Sequence, residues 1–244
     1  MIDNNKFKKL LITGANSSIG YAACKKYLKS GYEITALYNN SSNYVDKLIV
    51  EHGCKIKAHS INLNDAHQLS EFIKNNQDCL SNISVFVHLA AIHKEIEYEN
   101  LTAYDLIEHF TVNMVSLFIL TQFFSKTMSK NLYGRIVVAS SIGVKYGGGS
   151  ISYAYSLSKH ASEFFPNMHR KWSQNNVLIN AIRIGATNTD HIKSLGDKKN
   201  KHRVSMIPMR RFAEPSEIAN EIYHLGSINN TFTTGQVVTV AGGE

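Results

Sequence analysis

Cysteine is scarce in this chain. Its 244 residues hold three, Cys24, Cys54 and Cys79, odd in number, widely spaced and without a CxxC pair. Neither a disulfide framework nor a thiolate zinc site is expected. The eleven histidines form no HExxH and no other ligand spacing, so no metal is expected either. The N-terminal stretch has no signal-peptide core, and no apolar run approaches membrane-spanning length. A soluble, cytoplasmic protein without membrane contact is the expectation. No linker, repeat or low-complexity segment breaks the sequence, and residues 1–244 read as one domain. Charge is not concentrated. Lys and Arg number 26 against 19 Asp and Glu, a net +7, but the densest groups are only Lys6, Lys8, Lys9 and Lys198, Lys199, Lys201. A nucleic-acid binder gathers such an excess on one face, so no nucleic-acid partner is expected. A general attraction for anionic ligands is the milder consequence.

What is present is a globular composition, 43% hydrophobic and 18% charged, in a chain long enough to bury a large core. Apolar runs alternate with amphipathic stretches. Strands are expected at 7–12, 34–38, 55–63, 83–89, 135–139, 177–184 and 237–240. Helices are expected at 19–30, closed by Gly31, and at 44–52 and 65–76. A long helix capped by Thr102 and Asp105 should run to about Met128. Another should span 153–173, and one opened by Pro215 should reach about Leu225. This alternation predicts the α/β class: a doubly wound, Rossmann-like parallel sheet with helices on both faces. Ligands in such sheets bind beyond the carboxyl ends of the strands. Chemistry is therefore sought just after Ile12, Tyr38, Leu89, Ala139 and Ile184.

Two motifs stand at those places. After the first strand comes T-G-A-N-S-S-I-G, Thr13 to Gly20. Gly14 suits a tight turn, Gly20 suits close helix–strand packing, and the helix that follows offers N–H groups and a positive dipole end to a pyrophosphate. Further on, Tyr155 and Lys159 stand four apart, on one face of a helix. Twelve tyrosines and 20 lysines make about one Tyr-x-x-x-Lys expected by chance, and Tyr21–Lys25 is a second match. The company differs. Ser140 and Ser141 end the strand before Tyr155, whereas Tyr21 reads as surface decoration.

On these residues the chain resembles the short-chain dehydrogenase/reductase family over nearly its whole length. The family turn T-G-x-x-x-G-x-G is matched by Thr13, Gly14 and Gly20, with Ser18 at the middle glycine. Its N-A-G is replaced by Leu89-Ala90-Ala91. Its helix asparagine matches Asn113, its serine Ser141, and its Y-x-x-x-K matches Tyr155 and Lys159. Its P-G becomes Ile184-Gly185, followed by Thr187 and Thr189. Pro208 to Phe212, Glu214 to Ala219, Thr234-Gly235-Gln236 and Ala241-Gly242-Gly243 also fit.

The resemblance implies an oxidoreductase that exchanges hydride between a nicotinamide cofactor and a carbonyl or alcohol. It implies a catalytic set of Asn113, Ser141, Tyr155 and Lys159. The implied cofactor contacts are Gly14, Asn16, Ser17, Ser18, Ile19 and Gly20 on the turn, and Asn39, Asn40 and Ser41 after the second strand. Asn62, Leu63, Ala90 and Ala91 follow, then Tyr155, Lys159, Gly185, Thr187 and Thr189. The second strand ends in Tyr38-Asn39-Asn40-Ser41-Ser42, with no carboxylate to repel a phosphate, and NADP(H) is expected over NAD(H). A homotetramer is implied. The substrate pocket is expected from His93, Lys94, residues 144–149, Tyr153 and a long loop or short-helix insert at 190–206, a candidate lid. The nearest single activity is that of a 3-oxoacyl-carrier-protein reductase acting on an acyl thioester. The alternatives are a reductase of a sugar or secondary-metabolite carbonyl, and a non-catalytic dinucleotide-binding regulatory subunit.

Overall fold

The computed structural model describes residues 8–194 and 196–244. Seven strands form one parallel sheet in the order β3-β2-β1-β4-β5-β6-β7. They are β1 (Lys9–Thr13), β2 (Glu33–Tyr38), β3 (Ile56–Ser60), β4 (Val85–His88), β5 (Gly134–Ser141), β6 (Val177–Ile184) and β7 (Gln236–Val240). The helices are α1 (Ser18–Lys29), α2 (Asn43–His52), α3 (Ala66–Asn75), α4 (Gln77–Leu80), α5 (Ala103–Phe110), α6 (Ser116–Lys130), α7 (Tyr153–Ser162), α8 (His169–Gln174), α9 (Asp190–Ser194), α10 (Asp197–Met206) and α11 (Pro215–Leu225). The first strand starts later than the expected residue 7, which lies outside the described residues, as does Lys6.

Both faces of the sheet are covered, so its strands are apolar on both sides. On β1, Leu10 and Ile12 pack with Ala23, Val45 and Ile222 on one face, while Leu11 packs with Leu120 and Phe124 on the other. Helix α1 is seated by α11. The buried Tyr27 hydroxyl donates to the Gly226 carbonyl at 3.1 Å, and the Tyr27 ring meets Tyr223 edge-on. Pro215 opens α11 behind a Glu214–Glu217 capping box. Thr102 and Asp105 cap α5 in the same way.

One helix departs from expectation. The stretch 153–173 is not one helix. Helix α7 stops at Ser162 and α8 begins at His169, with Pro166 between them. Proline lacks the N–H and clashes with the preceding turn, which ends a helix. The long helix expected from Thr102 to about Met128 is present. From Ala103 to Lys130 the chain is helical throughout, because a π turn at Thr111–Val115 joins α5 to α6. That continuous helix is long and apolar enough to cross a membrane by length and composition, contrary to the expectation of no such run. Its Leu120, Phe124 and Met128 are fully buried in the core against Phe86 and Ile136. Residues 190–206, expected as a long loop or short-helix insert, carry two short helices, α9 and α10.

Candidate active site

At the carboxyl ends of the strands, two cavities of about 540 and 770 Å³ meet at Ser17, Leu89 and Ala91. The first opens over β1, β2 and β3. It is lined by Gly14, Asn16, Asn39, Asn40, Ser41, Asn62, Leu63, Ala90 and Ala91, all expected there. The turn that floors it depends on its glycines. Gly14 has φ +68°, and a Cβ there would lie 2.8 Å from the Ala90 nitrogen. A Cβ on Gly20 would press into the Gly14 carbonyl oxygen. Ser17 caps α1, accepting from Gly20 N at 3.0 Å and donating to Gly14 O at 2.9 Å. The open helix N-terminus and this backbone cradle fit a pyrophosphate.

Leu89 and Ala91, where the family has an asparagine and a glycine, line both cavities. The loop they belong to is fixed from below instead. Thr13 Oγ1 accepts from Ala90 N at 3.1 Å and meets His88 Nδ1 at 3.0 Å. His88 is fully buried, and burial, with the Lys159 charge adding to it, holds its pKa down near about 3. It is neutral at physiological pH. Of the expected turn contacts, Ser18 and Gly20 line neither cavity; Gly20 packs under the turn, and Ser18 lies to one side. It lines a neighbouring cleft with Tyr44 and Asp190.

The second cavity opens over β5 and β6. Ser141, Tyr155, Lys159, Gly185, Thr187, Thr189 and Ile19 line it, as does His93. Strand β5 ends in two serines with different fates. Ser140 Oγ donates to Glu163, which in turn holds Arg183 through two bonds of 2.6 and 2.7 Å. That network ties β5, β6 and the end of α7 together. Ser141 is left for the cavity: its Oγ accepts from Gly143 N at 3.1 Å and partners the Tyr155 hydroxyl. Burial pushes the Tyr155 phenol up, and the Ser141 hydrogen bond opposes this. Lys159 is buried, donates to the Ala139 carbonyl at 2.7 Å, and lies 5.9 Å from the centre of the Tyr155 ring. Desolvation lowers its pKa to about 8.

Asn113 sits in the π turn, a rare element that often marks functional sites. It does not line either cavity. Its amide is engaged at both ends: Oδ1 accepts from Ile92 N at 2.8 Å, and Nδ2 donates to Ile92 O and to Ser158 Oγ. It therefore pins the loop after β4 to α7 one residue before Lys159. Tyr21 stacks on Tyr44 away from the cavities. Tyr153, expected in the substrate pocket, turns instead to meet Tyr98 edge-on at 5.2 Å. Lys94 is also absent from the second cavity and pairs with Glu108, which lines the first cavity. Of residues 144–149, Tyr146, Gly148 and Gly149 line the cavity.

The sequence reading missed three things here. Ser152 accepts or donates at His93 Nε2, 2.7 Å away, while the His93 ring lies 4.5 Å from that of Tyr155. Arg203 of α10 reaches the cavity in an ion pair with Glu244, in which Nη2 donates to Oε2 at 2.7 Å and Nη1 lies 2.7 Å from Oε1. His88 is the third. None carries a local sequence signal, since a lone histidine in an apolar strand reads as core.

A family model described as "Enoyl-(Acyl carrier protein) reductase" matches residues 14–244. The 3-oxoacyl-[acyl-carrier-protein] reductase FabG of Thermotoga maritima is 30% identical over 97% of each chain. The 3alpha-hydroxysteroid dehydrogenase of Mediterraneibacter gnavus is 26% identical over 97% of this chain and 96% of its own. A solved 3-oxoacyl (acyl-carrier-protein) reductase of Agrobacterium tumefaciens with NADP bound superimposes with a TM-score of 0.88, at 21% identity over 100% of this chain and 98% of its own. The chain belongs to the short-chain dehydrogenase/reductase family of NAD(P)-dependent oxidoreductases.

Proposed function

We propose that the protein reduces a carbonyl to an alcohol, or runs the reverse, with Tyr155 as general acid and base and NADP(H) as the favoured cofactor. The observation that carries this reading is the shared second cavity. Tyr155, Ser141 and Lys159 line it together, beside the end of the pyrophosphate turn. The bound nicotinamide supplies or accepts the hydride. Tyr155 supplies the proton to the carbonyl oxygen in reduction and takes it back in oxidation. Ser141 hydrogen-bonds the same oxygen. Lys159, kept in the site by Ala139, stabilises the ionised phenol when protonated. Asn113 acts through its hold on Ile92 and Ser158. Binding and chemistry take place within one domain, residues 1–244.

The end of β2 supports NADP(H). Asn39, Asn40 and Ser41 line the first cavity and carry no carboxylate to repel a 2′-phosphate. Among substrates, a 3-oxoacyl thioester is the first choice, because relatives named for that activity align over nearly the whole chain. The second is a sugar or secondary-metabolite carbonyl, favoured by relatives named 2-dehydro-3-deoxy-D-gluconate 5-dehydrogenase and 3alpha-hydroxysteroid dehydrogenase. NADPH oxidation measured against a 3-oxoacyl thioester, a 3-oxosteroid and a keto-sugar acid tests the reading. Turnover of any of the three supports the general reaction and names its class. Absence of carbonyl-dependent oxidation across a wider ketone panel overturns it.

The protein is further proposed to work as a cytoplasmic homotetramer. Ile107 and Phe118 on the long helix are 64% and 54% exposed, and Phe164 after α7 is 85% exposed, apolar surface that a subunit contact would cover. Light scattering at micromolar concentration is expected to show four subunits, and a monomer would refute this.

A further inference from the structure

Ser18 stands where the family turn has glycine, and its hydroxyl is engaged. It accepts from the backbone N–H of Asp190 at 3.3 Å, at the first residue of α9. The Asp190 carboxylate accepts from the Tyr44 hydroxyl at 2.7 Å. Tyr44 is itself fixed from two sides. Its ring stacks on Tyr21 at 4.9 Å, and its backbone N–H donates to Asn16 Oδ1 at 2.7 Å. Asn16 belongs to the phosphate turn, and its Nδ2 donates to Ser41 Oγ at 2.9 Å. A closed ring of contacts thus joins the turn, the start of α2 and the start of α9.

We propose that Ser18, Tyr44 and Asp190 form a clasp that holds the start of the 190–206 segment against the phosphate turn and so slows both entry and release of the cofactor. The proposal rests on the nicotinamide-cofactor reading above. Three features favour a clasp over incidental surface contacts. It is made by a charge-assisted bond, the stronger kind of hydrogen bond. It bridges 146 residues of sequence between the two edges of the cofactor cleft. Its far end is continuous with the catalytic cavity, because Thr189, His191 and Ile192 flank Asp190 and line that cavity. Ser18 accordingly has a positive role: a glycine there has no hydroxyl to receive the Asp190 N–H.

The test is stopped-flow fluorescence of NADPH binding to the full-length protein and to Tyr44→Phe, Asp190→Ala and the double variant. Tyr44→Phe keeps the ring on Tyr21 and removes only the hydroxyl. Association and dissociation rates are both expected to rise, dissociation by about tenfold, the effect of one lost charge-assisted bond. The dissociation constant should move less than either rate. The double variant should be no faster than Asp190→Ala alone, since the two groups act as one unit. A merely structural role would lower the melting temperature without raising the association rate. Dissociation within about twofold of wild type in Tyr44→Phe, whose fold is conserved by the retained ring, overturns the clasp. A wild-type protein that binds neither NADPH nor NADH overturns the cofactor reading itself, which is a separate result.

Discussion

The two halves of the cleft are built on different principles. The half over β1 to β3 is made of backbone: a left-handed Gly14, a Gly20 with no room for a side chain, and the N-terminus of α1. The half over β5 and β6 is made of buried side chains whose ionisation is shifted, Tyr155 upward and Lys159 downward to about 8. Of the departures from the family pattern, Ser18 falls beside the first half, Leu89 and Ala91 line both halves, and Ile184 lines the second without replacing an ionisable group. Backbone N–H groups present the same donors whatever side chains surround them, so that half tolerates substitution where glycine is not sterically required. A phenol or an ammonium has no such substitute.

The largest expected effect tests the second half. Tyr155→Phe should keep the fold and NADPH binding but lower turnover by at least about a hundredfold, the low end for losing a general acid. Near-full activity would displace Tyr155 from that role. Next comes the floor between the halves. A histidine with a folded pKa of about 3 refuses a proton that the unfolded chain accepts below pH ~6.5. Stability should therefore fall as the medium is acidified, by about 1.4 kcal/mol per pH unit from 6.5 down toward 3. Urea melts at pH 6.5 and pH 5 should differ by roughly 2 kcal/mol more in wild type than in His88→Gln; equal differences would show that His88 is not the group responsible.

A smaller effect tests the first half. Asn39→Asp should shift the ratio of catalytic efficiencies from NADPH toward NADH by about tenfold, because a carboxylate there repels the 2′-phosphate and accepts from ribose hydroxyls. An unchanged ratio would place the phosphate elsewhere. The smallest effect is the control for the tyrosine assignment: Tyr153→Phe, with its ring on Tyr98, should leave turnover within about twofold, in contrast with the loss of a general acid.

Much of this was legible in the sequence, for physical reasons. Parallel strands buried on both faces produce the apolar runs that located the sheet, and Gly14, Tyr155 and Lys159 carry spacings that local geometry enforces. The π turn at Asn113 was not legible, because inserting one helical residue changes no residue type. The Arg203–Glu244 pair joins positions with no pattern between them. The break near Pro166 was legible in principle: proline there already excluded a helix running from 153 to 173, and the apolar periodicity around it obscured the signal.

The seating of Tyr27 against Gly226 has a consequence for synthesis. Helix α1 leaves the ribosome well before the surface that receives it, which is supplied 199 residues later. Until α11 has emerged, one side of α1 has nothing to pack against, and the turn it carries lacks its support. Helix α1 is thus completed only after the chain has been made through α11. Its apolar face has to be kept from other partners during that interval.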